Sequence, residues 1–584
     1  MGTIPGMSSR LRTAVLVLAI AVAFADSSIV VLGVPEIVRD FNVAVDDASW
    51  VITAYNLAVV AGAVAVFAAL GRVAPRGLAV AGLGAFALAS LGCAVAPSFA
   101  WLVGFRTAQG LAAALVLVAT LPFLGGRAGV RPWILAATVG LAAGPALGGV
   151  LTELFSWRAI FAAQAPLVAA GLLALGGAPT LVTGAGRRPG RAWLADATLA
   201  ALSAALVGAL FLVVVLLING FGWQPLPAAL VATTLPVLAA VAERVGRGLP
   251  ASGSAAAGGA LVAVGLTVLA LLPSARTGLV VAGLALCGAG LGLAAQPLGT
   301  LALGGPRLEQ DAAWTVFFRH AGLVLALVAV TPVLVSSLDV LEQDAEAVAG
   351  EVVLRSELPL TTKARVLSDL ADAADESEPS VPDVREALAA RDGDDGAVSG
   401  LADRVTERLH ELIARAFRDP FLLCAGFGLL SALLALGLGH AGGRARAPAI
   451  AFVAVALAGG GVALAADLRL GALDDPAADT DPCRAPSPEG GDGLEAAVER
   501  IALGSLSGAA CELGVSRAAV LRELAGETSE LPTDRLEDAV RTNVDRALEA
   551  ETERGTLDGT IGAFLRGLLA NAPLDWIRQA LGGL

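Results

Sequence analysis

Residues 99–122 read Phe-Ala-Trp-Leu-Val-Gly-Phe-Arg-Thr-Ala-Gln-Gly-Leu-Ala-Ala-Ala-Leu-Val-Leu-Val-Ala-Thr-Leu-Pro, a run whose one charge is Arg106. A helix needs about 20 mostly apolar residues to cross a hydrocarbon core about 30 Å thick, at about 1.5 Å per residue. This run meets that requirement, and it is one of thirteen. The others lie at 13–33, 50–70, 78–96, 133–151, 159–177, 195–218, 226–242, 255–273, 278–303, 314–336, 420–439 and 449–467. The last carries three glycines at 459–461, which membrane helices tolerate. The chain reads as an all-α polytopic membrane protein.

Composition agrees. The 584 residues are 56% hydrophobic, 16% charged and 5% aromatic, and the mean hydropathy is +0.76. Soluble domains are roughly 45–50% apolar and about 25% charged. Soluble enzymes, disulfide scaffolds and disordered chains are excluded. The net charge of −13 argues against a nucleic-acid partner, since phosphate binding needs clustered cations. His320, His410 and His440 are scattered, and no Cys/His spacing suits a metal. No Gly-x-x-x-x-Gly-Lys-Ser/Thr occurs, so no nucleotide or other cofactor is expected and any active transport draws on an ion gradient.

The arginines set the expected orientation. With the N-terminus in the cytoplasm, the inner connections hold fourteen, among them Arg10, Arg72, Arg127, Arg188 and Arg444. The short outer loops hold only Arg39, Arg158 and Arg276. That is a strong positive-inside bias for a plasma-membrane protein with its C-terminus outside. The first apolar run contains Asp26 and is followed by further spans, so it reads as the first crossing rather than a cleaved leader.

Two polar blocks then lie outside. Residues 339–419 hold 20 acidic against 9 basic side chains, and residues 467–584 hold 22 against 11. Both carry helical periodicity, as in the stripe Leu401, Val405, Leu409, Leu412, Ile413. They read as solvated helical caps or as a docking surface for an extracytoplasmic protein partner. Cys483 and Cys511 are the two cysteines outside the apolar runs, and an oxidising compartment would join them in a disulfide.

Charges inside membrane helices cost at least about 2.5–3.5 kcal/mol and mark function by default. Asp26 and Arg106 lie deep in their runs. Asp196 sits near the start of its helix and reads as interfacial, and Arg319 and His320 read as anchors at the inner surface or as cavity groups. In the fifth run, Gly140, Gly144 and Gly148 form a stripe that admits a neighbouring backbone, and Pro145 permits a bend.

Several of these stretches resemble the N-terminal half of major facilitator superfamily transporters, particularly the drug:proton antiporter branches. They are Asp26-Ser-Ser-Ile-Val with Val34-Pro35, Trp50-Val-Ile-Thr-Ala-Tyr55, Arg106-Thr-Ala-Gln-Gly110, Gly144-Pro-Ala-Leu-Gly148-Gly149, and Trp157-Arg158 with Phe161 and Gln164-Ala-Pro166. The later half matches mainly in helix spacing and in Arg319-His-Ala-Gly322. Two departures stand out. The loop 70–77, Leu-Gly-Arg-Val-Ala-Pro-Arg-Gly, lacks the family's carboxylate, which questions the latch between halves. The larger branch has fourteen helices, whereas this chain shows twelve and then an extra one.

The resemblance implies two six-helix halves, 1–180 and 195–440, joined by a cytoplasmic linker 181–194. The outer insertion 339–419 interrupts the second half. A loop and extra helix at 441–467 lead to the acidic tail 468–584. It implies proton-coupled export of amphipathic or drug-like molecules by alternating access. Asp26 would bind the proton and Arg106 would tune it. Asn56, Gln109, Gln164, Gln296 and Arg319 would face the substrate cavity. Gly144, Pro145, Gly148 and Gly149 would serve packing and movement. Rival readings are a transport-inactive scaffold or receptor displaying the outer segments, and a solute:proton uptake symporter.

The expected orientation has a direct check. An impermeant thiol probe on Thr560→Cys in intact spheroplasts should react before lysis; reaction only after lysis would put the tail inside.

Overall fold

The first crossing is shorter than its apolar run. The computed structural model describes residues 8–43, 45–176, 178–356, 358, 360–377, 384–389, 397–439, 481–483, 494–525 and 531–555. Helix α1 spans Ser9–Ala25 and stops there, where the sequence alone suggests continuation to residue 33. Seventeen residues rise about 26 Å, slightly less than the hydrocarbon core. The crossing is completed by a turn at 26–30 and a 3₁₀ turn at Val31–Gly33. Helix α2, Val34–Phe41, follows, with Pro35 in its first turn, where a missing N–H does no harm. Non-helical backbone survives at membrane depth only when protein surrounds it, and residues 26–34 are all buried.

The rest of the first half is α3 (Trp50–Ala69), α4 (Pro75–Ala94), α5 (Phe99–Ala119), α6 (Val130–Leu154) and α7 (Trp157–Ala174). The second half opens with α8, Gly190–Val215, whose last apolar turn widens into a π-helix at Leu216–Gly220. Helices α9 (Pro225–Ala232) and α10 (Thr234–Val245) form one kinked span. After them come α11 (Ala251–Ala270), α12 (Thr277–Ala302) and α13 (Leu308–Leu354). Helix α17 (Arg418–Gly437) is the last described span. Among the described residues, eleven helices are long and apolar enough to cross a membrane, and α1 with its turns makes the twelfth crossing. The run 449–467 expected as a thirteenth lies outside the described residues.

The chain divides into two compact units. The first comprises Met1–Ser337 and Phe417–Ala466, and the second Leu338–Ala416 and Asp467–Leu584. The insertion and the tail, distant in sequence, thus fold together. The second unit contains the end of α13, α14 (Leu360–Ser377), α15 (Val384–Ala389), α16 (Ala397–Ala416), α18 (Leu494–Leu513), α19 (Arg517–Ala525) and α20 (Thr533–Glu553).

Its joint is Arg517, which is buried. Its Nη1–H donates to Glu351 Oε2 on α13 at 2.6 Å, Nε–H to Ser507 Oγ on α18 at 2.8 Å, and Nη2–H to the Asp481 carbonyl at 2.8 Å. Cys483, two residues from Asp481, is disulfide-bonded to Cys511, with the Cα atoms 4.8 Å apart. Helices α18 and α20 pair through Ile501 and Leu548 and through the Arg500–Glu551 ion pair at 2.9 Å.

Removing one member of a buried ion pair strands the other charge, at a cost of about 3–5 kcal/mol, whereas exposed pairs contribute about 0–1 kcal/mol. Arg517→Ala should therefore destabilise the acidic unit severely. Arg522→Ala, which breaks the more exposed pair with Glu346, should leave it nearly unchanged. Denaturant unfolding of the full chain in detergent, read by protease resistance of this unit, distinguishes the two.

Candidate functional site

Arg106 lies inside the first half with every described donor group engaged. Its Nε–H donates to the Val51 carbonyl at 2.8 Å, Nη2–H to the Asp26 carbonyl at 3.2 Å, and Nη1–H to Gln109 Oε1 at 2.8 Å. The same Nη1 pairs with Asp26 Oδ2. The guanidinium lies 4.3 Å from the Tyr55 ring centroid and 5.4 Å from that of Phe161. The second Asp26 oxygen, Oδ1, accepts from Gln164 Nε2 at 2.7 Å. Gln109 Nε2 donates to Gln164 Oε1 at 3.0 Å and to Ser90 Oγ at 2.8 Å. Five side chains from α4, α5, α7 and the turn after α1 thus close one buried network.

The local sequence explains the geometry. Residues 106, 109 and 110 lie three and four apart and share a helix face. Gly110 lets α5 reach α3, because a Cβ there would fall 2.3 Å from the Tyr55 carbonyl oxygen. Helix α1 ends where the Asp26 carboxylate turns toward Arg106. Ser28 Oγ then donates to the Leu141 carbonyl at 3.0 Å, which fixes the turn against α6. Asp26 and Arg106 are each 0% exposed, so no water reaches the carboxylate in this conformation.

The glycine motif divides between two neighbours. A Cβ on Gly140 would meet the Ala21 carbonyl at 2.3 Å, one on Gly144 would meet Ser28 Oγ at 2.3 Å, and one on Gly148 would meet the Ile29 carbonyl at 1.8 Å. These three seat α6 on α1 and its turn. Gly149 faces the other half, where a Cβ would lie 2.7 Å from Ala229 Cβ and 3.1 Å from the Pro225 carbonyl. Pro145 lies within α6 and is buried.

Between the halves lies a cavity of about 30 Å³. Its walls include Trp133 and Leu141 from α6, Ser203 from α8, Leu291 from α12, and Thr315 and Arg319 from α13. Drug-sized pockets measure about 300–1,000 Å³, so this cavity is far smaller than one. Of the five expected cavity residues, only Arg319 lines it. Gln109 and Gln164 belong instead to the buried network, because Asp26 and Arg106 require their hydrogen bonds. Asn56 is enclosed in α3, with Nδ2 donating to the Ile52 carbonyl at 2.9 Å. Gln296 is half-buried on α12, and its Nε2 reaches the Arg131 carbonyl at 3.4 Å.

At the face where α1 begins, Arg188 fastens the linker to the second half, and Arg127 of the first half reaches across to that half. Arg188 Nη1 lies 2.6 Å from Asp196 Oδ2, and its Nε–H donates to Asp311 Oδ1 at 2.9 Å. It also donates to the Ala302 carbonyl at 2.8 Å and lies over Trp193. Thr315 Oγ–H donates to Asp196 Oδ1 at 2.9 Å. Asp196, near the start of α8, is sealed at 0% exposure by a partner from the linker. Arg127 adds bonds to the carbonyls of Leu303, at 2.6 Å, and of Gly305. The loop 70–77 without a carboxylate stays within its own half, where Arg76 donates to the Leu175 carbonyl. Arg188 and Asp311 were legible only as a linker cation and a helix-start acid, both ordinary readings.

At the opposite face, Glu36 Oε2 accepts from the Trp157 backbone N–H at 2.9 Å, capping α7. The Trp157 indole N–H and Arg158 hold the Asp40 carboxyl below its usual range.

The chain is thus a polytopic membrane protein of two six-crossing halves, with a sealed ion pair within one and a cavity between them. A model of the Major Facilitator Superfamily matches residues 16–329, and the chain belongs to that family. It is 36% identical over 155 residues to the Multidrug resistance protein Stp of Mycobacterium tuberculosis, covering 25% of this chain and 28% of that protein. It is 32% identical over 177 residues to the Multidrug efflux pump LfrA of Mycolicibacterium smegmatis, covering 29% and 34% respectively. The chain thus spans about a third or less of the length of these relatives. Among solved structures, a bacterial homolog of the human lysosomal transporter Spinster, inward-facing, aligns with a TM-score of 0.45 at 16% identity. That alignment covers 75% of this chain and 100% of the other.

The glycine seam yields a graded outcome. Gly148→Ala drives a methyl into backbone and should abolish folded protein. Gly144→Ala meets first the movable Ser28 hydroxyl and should lower the melting temperature while leaving folded protein. Size-exclusion profiles and thermal melts in detergent distinguish them.

Proposed function

We propose that this chain is a proton-coupled exporter of amphipathic small molecules that works by alternating access in the plasma membrane. The observation that carries the reading is the Asp26–Arg106 pair, sealed inside the first half with all its neighbours engaged. Burying two charges costs several kcal/mol per ion before their attraction is counted. A bundle that served only as a scaffold would gain by replacing them with packed apolar side chains.

The proposed cycle uses what these residues do. In this conformation Arg106 and Gln164 hold the Asp26 carboxyl through hydrogen bonds. When the halves part, α1 and α6 travel together on their glycine seam while α5 carries Arg106. A change in the Arg106–Asp26 distance then changes the affinity of Asp26 for a proton. A proton taken up on one side is released on the other, and the same movement exposes the cavity alternately. Relatives named for multidrug resistance and efflux support the outward direction of substrate.

The arginine distribution supports a cytoplasmic N-terminus. Insertion and tail share one compact unit, hence one side of the membrane, and α17 leads away from that side. The apolar run at 449–467 is long enough for the chain to return to that side. On this reading the acidic unit is extracytoplasmic, in a compartment that suits its disulfide, and is the surface available to a partner protein there.

Asp26→Asn keeps the shape and a hydrogen-bonding oxygen but removes the titrating group. In proteoliposomes it should abolish proton-driven movement of substrate, and because it leaves the buried Arg106 charge without its counter-ion it should also lower the melting temperature while leaving folded protein. Arg106→Ala should also lose stability, by about 3–5 kcal/mol, because it strands a buried carboxylate. Undiminished proton-driven export by Asp26→Asn would overturn the assignment.

A further inference from the structure

Resting on that reading, we propose that the cavity between the halves takes amphipathic organic anions, with Arg319 as the residue that pairs with the anionic group. Among the cavity's described lining residues Arg319 is the one charged side chain. The others are apolar or aromatic, except for the hydroxyls of Thr138, Ser203 and Thr315. No carboxylate lines the wall.

Arg319 also lacks the neutralisation given to the other buried arginines. Arg106 has Asp26, and Arg188 has both Asp196 and Asp311. Arg319 has no acidic partner among the described residues. Its hydrogen bond there is from Nη2–H to the Ala137 carbonyl at 2.9 Å. Its guanidinium lies over the Phe24 ring at 4.5 Å. Both contacts reach across from α13 to the first half, so the cation sits at the seam that must open.

The carboxylates of Asp26 and Asp196 are already committed. Asp26 is closed within the first half, and Asp196 is turned toward Arg188 and Thr315. An uncompensated charge inside a membrane helix bundle is costly. A ligand carboxylate or sulfonate would offset that cost through bidentate, charge-assisted bonds. A ligand cation would instead meet like-charge repulsion in a medium that screens it poorly. The apolar walls and Trp133 would receive the rest of an amphipathic molecule.

The test uses three fluorescent probes with one hydrophobe and different charge: pyrenebutyrate, its primary amide, and pyrenebutylammonium. Binding is measured on the full chain in detergent. Pyrenebutyrate should bind more tightly than the amide, and the ammonium form least. In Arg319→Gln, pyrenebutyrate affinity should fall about tenfold or more while the amide stays within about twofold, as loss of a bond between charged groups predicts. Arg319→Lys should keep the order of preference with weaker affinity. Tighter binding of the ammonium form, equal losses for all three probes, or no binding of any would overturn the proposal. Transport of the same probes in proteoliposomes under an imposed proton gradient separates this proposal from the export reading. Anion-selective binding with no proton-driven movement would retain the anion site and overturn export. Proton-driven movement of the ammonium form alone would retain export and overturn the anion site.

Discussion

A guanidinium sealed in a membrane bundle demands that everything around it be in register. Arg106 has donors in a fixed planar fork, and each must find an acceptor or leave an expensive buried group. The acceptors come from Asp26, Val51 and Gln109, contributed by three different helical segments. Their arrival requires α1 to break after Ala25, α5 to touch α3 at Gly110, and Gln164 to point inward from α7. The first half is organised around this one cation.

The second half is organised differently. It holds no comparable central network among its described residues, and its charges gather at the face where the linker passes. There Arg188 joins two acids from α8 and α13, and Arg127 joins the loop between α12 and α13. Arg127, from the α5–α6 connection, thus ties the halves together, while Arg188 fastens the linker to the second half. The opposite face depends on close contact of small residues, as at Gly149 and Ala229.

Much of this was legible in the sequence, for definite reasons. Asp26 and Arg106 stood out because charges interrupt apolar runs only at a cost, and the glycine stripe stood out because its spacing matches the helix period. The break in α1 was not legible, since an apolar run gives no sign of where a helix yields to a turn. Gln109 and Gln164 were read as cavity groups because a polar residue on a membrane helix looks the same whether it faces a ligand or a buried ion pair. The partner of Asp196 was not legible, because it lies in a linker whose arginines also satisfy the topology rule. Charge counting registers an arginine's side of the membrane and is blind to its contacts.

The chain's nucleophiles have a practical consequence. Cys93, Cys287 and Cys424 are buried, and Cys483 and Cys511 are joined to each other. The single lysine, Lys363, is 1% exposed, with its ammonium donating to the Leu354 carbonyl at 2.7 Å. The native folded chain therefore presents almost no background to maleimides or to amine-directed crosslinkers. A cysteine introduced at an exposed position becomes a unique chemical address without first stripping the natural ones. Dyes placed in pairs across the two faces can then report the opening of each end separately, on a molecule whose own thiols and disulfide remain as they fold.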